Sequence, residues 1–210
     1  MDEPTNAEPR WVAVVALIAV AWLYMALPSW LSVGPKWALL VTVIVLLIPT
    51  VTFHRAGKHS LNRIFGLLLS AVVTIAVICS VILLVRALPE HKEPPVLLLR
   101  SAGSLWIANM LIFALWYWHL DAGGPNARST REVHTEGSFL FPQMMPGIAE
   151  DAAWTPHFID YMFLAFNTST ALSPTDSPVL SRWAKLLMMV QSLISLTIVV
   201  LLAARAVNIL

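Results

Sequence analysis

The sequence predicts an all-α membrane protein with five transmembrane helices, one re-entrant pore helix and a filter-like loop. Three observations carry this prediction. Hydrophobic residues make up 58% of the 210 residues and charged residues 12%, about half the ~25% charge of soluble domains. Five charge-free runs approach or exceed the ~20 residues that a ~30 Å hydrocarbon layer requires. All twelve acidic residues fall outside those runs.

The same composition excludes other classes. There are 13 Lys and Arg against 12 Asp and Glu, a net charge of +1, so no basic field exists to attract nucleic acid. The single cysteine, Cys79, lies in an apolar run. It forms no intrachain disulfide and no Cys-rich metal site.

The first run, 11–30, is too long for a signal peptide and follows a lead-in with one Arg and three acids, so it reads as a span. The second, 37–53, carries Pro49 near its end. The third is 64–85. The fourth is 101–118, with residues 96–99 extending it backwards past Arg100. The fifth, 186–204, is bounded by Lys185 and Arg205. The turns at 28–36, 54–63 and 88–95 are rich in Pro, Gly or charge. The long connection after Leu120 differs from these. Its first part, DAGGPNARSTREVHTEG, reads as an exposed loop. An apolar stretch of nine residues, 158–166, follows Pro156 and is too short to cross. The hydroxyl-rich NTSTALSPTDSP comes next.

Several activities lack their residues. No carboxylate lies within a run, which argues against proton-coupled transport. All six histidines fall at run ends or in loops, whereas a membrane haem needs axial histidines within helices. Arg63, Arg86 and Arg100 are isolated, unlike a voltage sensor's arginine repeat. His119 with Asp121, and His134 with Glu136, have metal-ligand chemistry but read as solvated loop pairs. Ser173 or Ser181 with His157 lacks a nucleophile elbow, so no enzyme activity and no cofactor are expected. Asn109, in the fourth run, reads as an interhelical hydrogen-bonding group.

A short helix that dips into a membrane aims its carbonyl end, with partial negative charge, inward. That end falls near Asn167 and Thr168. Irregular backbone at this depth is tolerated where it lines water or is buried in protein, and hydroxyls and carbonyls there can replace a cation's hydration. The order FIDYMFLAFNTSTALSPTD, then SRWAKLLMMVQSLISLTIVVLLAARAV, resembles the pore module of two-helix potassium channels. Aligned without gaps to a TxTTVGYGD-type filter are Thr168, Ser169, Thr170, Ala171, Leu172, Ser173, Pro174, Thr175 and Asp176. Thr168 and Thr170 match threonines, Leu172 stands for a valine, and Asp176 matches the closing aspartate. Upstream, WYWHLDAGGP and FLFPQ resemble an uncharacterised family of bacterial integral membrane proteins related to ion channels.

The departure from that filter is informative. Ser173-Pro174-Thr175 replaces Gly-Tyr-Gly. The glycines permit the left-handed conformations that aim successive carbonyls at the ion. Pro174 fixes φ near −65° and removes an N–H, while Ser173 and Thr175 are strained at positive φ. Potassium selectivity therefore does not carry over.

The resemblance implies a homotetramer that conducts monovalent cations, K⁺ or Na⁺, through the bilayer of a bacterial inner membrane. It divides the chain into a peripheral three-helix region, 1–100, and a pore-like module, 101–210. The module comprises an outer helix (101–120), an extramembrane loop (121–155), a re-entrant helix (157–167), a filter-like turn (168–178) and an inner helix (182–207). It also puts the turn outside and the C-terminus in the cytoplasm. Lys36, Arg86, Lys92, Arg100 and Arg205 are then inside, five against eight basic residues outside, which the positive-inside rule opposes. Only five residues follow Arg205, so gating is expected within the membrane part. The apolar stretch 196–202, with Val199 and Leu202, is expected to close by dewetting. The competing reading is a non-conducting structural or sensory protein on a channel-derived scaffold.

Overall fold

The computed structural model describes residues 10–87, 94–129, 137–145, 154–170 and 177–207. Among these, regular structure is helical apart from one bridge between Phe139 and Val179. The helices are α1 (Trp11–Met25), α2 (Lys36–Arg55), α3 (His59–Ala87), α4 (Pro95–Leu120), α5 (Pro125–Ser129), α6 (Phe158–Thr170) and α7 (Arg182–Val207). Four of them, α2, α3, α4 and α7, are long and apolar enough to cross a membrane. The architecture is compatible with a multi-pass membrane protein.

The first apolar run yields a shorter helix than its length suggests. α1 has 15 residues, a rise of about 22 Å. Pro28 ends the pattern, because it lacks an N–H and disfavours helical geometry at the residue before it. The chain then turns through a 3-10 segment, Ser29–Leu31. The Tyr24 hydroxyl fixes this turn by accepting a hydrogen bond from the Val33 N–H at 2.9 Å.

α4 is the axis of the bundle and packs against α1, α3, α6 and α7. α2 is the outermost helix, with only Leu39 and Val43 buried. α3 buries one stripe, including Gly66, Leu69, Ser70, Val73 and Val77, at the helical spacing of an amphipathic face. Gly66 is required by a close approach: a Cβ there would lie 2.7 Å from His119 Nε2. The α3–α4 contact is also tied by the Trp116 indole N–H, which donates to Thr74 Oγ1 at 2.9 Å.

The segment after α4 corrects the exposed-loop expectation. Asp121 is fully buried, and Arg128, Phe139 and Phe141 are nearly so. The Asp121 carboxylate accepts hydrogen bonds from the Tyr161 hydroxyl at 2.7 Å and from the Ser138 N–H. Arg128 Nη1 donates to the carbonyls of Trp118 and Asp121 at 2.8 and 2.9 Å. Its guanidinium also lies 5.0 Å from the Tyr161 ring centroid, a cation–π distance. Phe139 stacks edge-on against Tyr117, Tyr161 and Trp183. A polar segment is thus folded back onto the ends of α4, α6 and α7 because its charges find partners and its aromatics find a core. The supposed metal pair His119 and Asp121 is not a solvated loop pair, since both side chains are buried. His134 and Glu136 lie outside the described residues.

Tyr161→Phe removes one hydrogen bond to a buried carboxylate and keeps the ring. It should lower unfolding stability in detergent by about 1.5–3 kcal/mol, the range for a bond to a charged group. An unchanged midpoint would show that the carboxylate does not need this donor.

Candidate functional site

The site predicted from sequence is centred on α6 and its junction with α7. α6 begins at Phe158, directly after His157. The His157 N–H donates to Asp160 Oδ2 at 2.8 Å, the backward half of a capping box. Burial pushes the Asp160 carboxyl above its ordinary range, and the His157 N–H bond pulls it the other way. One face of α6, formed by Phe158, Tyr161, Leu164, Ala165, Thr168 and Ser169, is buried. The opposite face exposes Ile159, Phe163 and Phe166.

α6 and α7 run in the same direction. Tyr161 and Trp183 meet across Phe139 near the starts of both helices. At the other end of α6, Ala165, Thr168 and Ser169 meet Gln191 and Ser192. Gln191 lies nine residues after Arg182, roughly 14 Å along α7. The last described turn of α6 therefore lies beside the middle of α7. Ser177–Leu180, by contrast, lie back at the start of α7: the Leu180 N–H donates to the Ser138 carbonyl at 2.8 Å, and the Leu140 N–H to the Pro178 carbonyl at 2.9 Å.

Gln191 is the joint. It is fully buried. Its amide donates to the Ala165 carbonyl and to Ser169 Oγ, both at 2.7 Å. Its Oε1 accepts from the Tyr117 hydroxyl. One side chain thus pins α7 to both α6 and α4. Next to it, the Asn109 amide donates to Ser195 Oγ at 2.9 Å and to the Gln191 carbonyl at 3.3 Å. This is the interhelical role expected for Asn109. Its Oδ1 is buried with no hydrogen-bond partner among the described residues. The Trp106 indole N–H donates to the Ser169 carbonyl at 3.4 Å.

The hydroxyls after Phe166 extend the helix. α6 was expected to end at residue 167 but continues to Thr170. Thr168 Oγ1 donates to the Leu164 carbonyl at 2.8 Å, and Thr170 Oγ1 to the Asn167 carbonyl at 3.0 Å. Thr168 and Ser169 face the bundle and are buried, while Thr170 is half-buried. Residues 168–170, expected in the turn, are thus helical. Ala171, Leu172, Ser173, Pro174, Thr175 and Asp176 lie outside the described residues. On α7, Val199 is exposed, and Leu202 packs half-buried on the core.

Gln191 is the residue that the sequence reading missed. Its signal was a lone amide at the centre of an otherwise apolar run, a position where polar side chains usually bond across helices. No protein-family model, curated protein or solved structure matches this chain. Among the described residues, no group of three or more metal-ligating side chains is assembled.

Two outcomes follow from this geometry. Gln191→Leu strips a partner from the buried Tyr117 hydroxyl, from Ser169 and from the Ala165 carbonyl. It should reduce unfolding stability by about 2–3 kcal/mol, whereas Asn109→Leu, which also removes an orphan acceptor, should cost about 1 kcal/mol or less. Equal losses in a detergent unfolding titration would remove Gln191 from its central place. The second outcome concerns pH. Because the folded-state value of Asp160 is raised above 3.8, the native state holds this proton more tightly than the unfolded chain. Stability should fall as pH rises from 3.8 through the raised value, then level off. Asp160→Asn should flatten that slope in a series of melts across acidic pH; an identical slope in parent and variant would assign it to another group.

Proposed function

We propose that this protein is a cation-conducting channel of the cell membrane, built as a homotetramer in which α6 is a re-entrant pore helix and α7 is the inner helix. The observation that carries this reading is that the last described turn of α6 lies beside the middle of α7, with the chain back at the start of α7 by Ser177. The partial negative charge of a helix's carbonyl end favours a cation over an anion, and Asp176, in the same connection, would add a ring of carboxylates. α1, lengthened by the turn after it, provides the fifth crossing.

The tetramer rests on two unpartnered faces. α7 exposes Leu186, Met189, Leu193, Leu196 and Val200, spaced alternately by three and four residues like a helix-packing seam. α6 exposes Ile159, Phe163 and Phe166. In this reading other copies cover part of both faces, and Val199 and Leu202 form the inner apolar constriction. Potassium selectivity is not part of the proposal, because Ser173, Pro174 and Thr175 cannot reproduce a glycine-based carbonyl ladder. Thr168 and Ser169 support the filter from behind through α7, so ion contacts fall to Thr170 and the residues after it.

One observation favours the competing reading of a non-conducting structural or sensory scaffold. The Thr168 and Ser169 side chains are buried and bonded within the bundle, to Leu164 and Gln191.

Ion flux through purified protein in liposomes separates the two readings. K⁺ or Na⁺ should pass and Cl⁻ should not. Thr170→Val, which keeps volume and removes one hydroxyl, should alter the K⁺/Na⁺ permeability ratio without altering the melt. Flux of Cl⁻ alone would overturn cation conduction. Absence of flux through a folded, reconstituted oligomer would leave the scaffold reading.

A further inference from the structure

A cavity of about 740 Å³ opens at the other side of the bundle, between α1, α2, α3 and the α4–α5 connection. This volume lies within the ~300–1,000 Å³ of small-molecule sites. Its wall is apolar and includes Ala13, Leu17, Leu47, Val51 and Leu69. Its charged lining is of one sign: Arg10, Arg55 and Arg63 contribute, beside His54, His59 and His119, and no carboxylate lines it among the described residues.

The charges are arranged along a rim. Arg55 ends α2, and Arg63 lies in the first turns of α3. Both are exposed and make no hydrogen bond or ion pair among the described residues. His59 lies between them in sequence, with its ring centroid 6.4 Å from that of His54. Arg10 closes the opposite side, donating to His54 Nδ1 at 2.8 Å and to Asn126 Oδ1. The rim is at the ends of two helices suited to cross a membrane, where lipid headgroups would lie. The apolar wall continues from the rim along those helices.

We propose that this cavity binds an anionic phospholipid, with its phosphate held at Arg55, Arg63 and His59 and an acyl chain along Leu17, Leu47, Val51 and Leu69. Guanidinium groups are suited to phosphate because their planar N–H fork donates two parallel hydrogen bonds. Basic pockets between membrane helices select such headgroups over zwitterionic ones. A soluble phosphate ester shares the headgroup chemistry but leaves the apolar wall unfilled. The site is independent of ion conduction, since none of its lining comes from α6 or α7.

Native mass spectrometry of the full chain in detergent tests this, with phosphatidylglycerol and phosphatidylcholine of identical acyl chains in competition. Phosphatidylglycerol should be retained about tenfold more tightly. Arg55→Gln with Arg63→Gln, both at exposed positions, should abolish that preference without shifting the melt. Val51→Trp fills the cavity while keeping every charge, and should weaken retention of phosphatidylglycerol. Preference that survives the double arginine substitution would assign the lipid to another surface and overturn the proposal. Full displacement of phosphatidylglycerol by millimolar glycerophosphate would make the site one for soluble phosphate esters and overturn the lipid. Asp2, Glu3 and Glu8 precede Arg10 in the sequence and are the competing counter-charge. If they fill that role the two lipids bind equally, and the proposal fails.

Discussion

A primary amide at the centre of an apolar helix must find partners for two N–H donors and one carbonyl. Gln191 meets this constraint, and the arrangement of α4, α6 and α7 depends on how it does so. Both donors are used on α6, and the carbonyl oxygen is used on the Tyr117 hydroxyl of α4. Apolar contact between helices specifies position poorly in a lipid-like environment, because lipid tails offer the same contact. Three directional bonds from one side chain specify both the depth of α6 along α7 and its rotation. Shifting α6 by one residue would turn Ser169 roughly 100° away from Gln191. The Thr168 hydroxyl reinforces the same geometry by bonding back to the Leu164 carbonyl of its own helix.

The helices were legible in the sequence because burial in an apolar medium leaves one dominant signal, the absence of charge over a fixed length. That signal is blind to two things. It does not see backbone punctuation inside an apolar run, so the stretch 11–30 read as one span although Pro28 ends helical geometry near Met25. It also misreads polar residues that are buried with partners. Asp121 and Arg128 carry the composition of a loop, and their burial becomes apparent only when Tyr161, thirty-three residues beyond Arg128, arrives beside both. Ser138, Phe139 and Phe141 complete that assembly from a third stretch of chain. Such contacts depend on sequence-distant pairs, which one sequence does not display.

The candidate site divides along the same line. The order of short helix, hydroxyl turn and long helix was readable, since it follows from run lengths. The orientation of the hydroxyls was not. At a helix C-terminus a Thr or Ser side chain chooses between its own i−4 carbonyl, a neighbouring helix and an open lumen. Thr168 takes the first option and Ser169 the second. The Ser169 choice requires Gln191 to be present at the right height, and nothing local to NTST encodes that.

The two halves of the molecule present different groups at their candidate sites. In the α6–α7 half, the last described turn of α6 lies at mid-bundle, and carbonyls toward the C-terminal end of a helix carry partial negative charge. In the α1–α3 half, the rim carries Arg10, Arg55 and Arg63, and no carboxylate lines it among the described residues. A positive rim at the ends of membrane-length helices is suited to fixed anions such as headgroups, which need not move. A weakly negative, hydroxyl-bearing terminus is suited to a partner that binds loosely and leaves. That second condition also sets the requirement for conduction, because a site must favour entry without retaining the ion. Under the proposed channel reading, backbone dipoles and hydroxyls would meet it better than a buried carboxylate would. Among the described residues, the only fully buried carboxylate, Asp121, is held away at the loop end of the bundle by Tyr161 and Ser138.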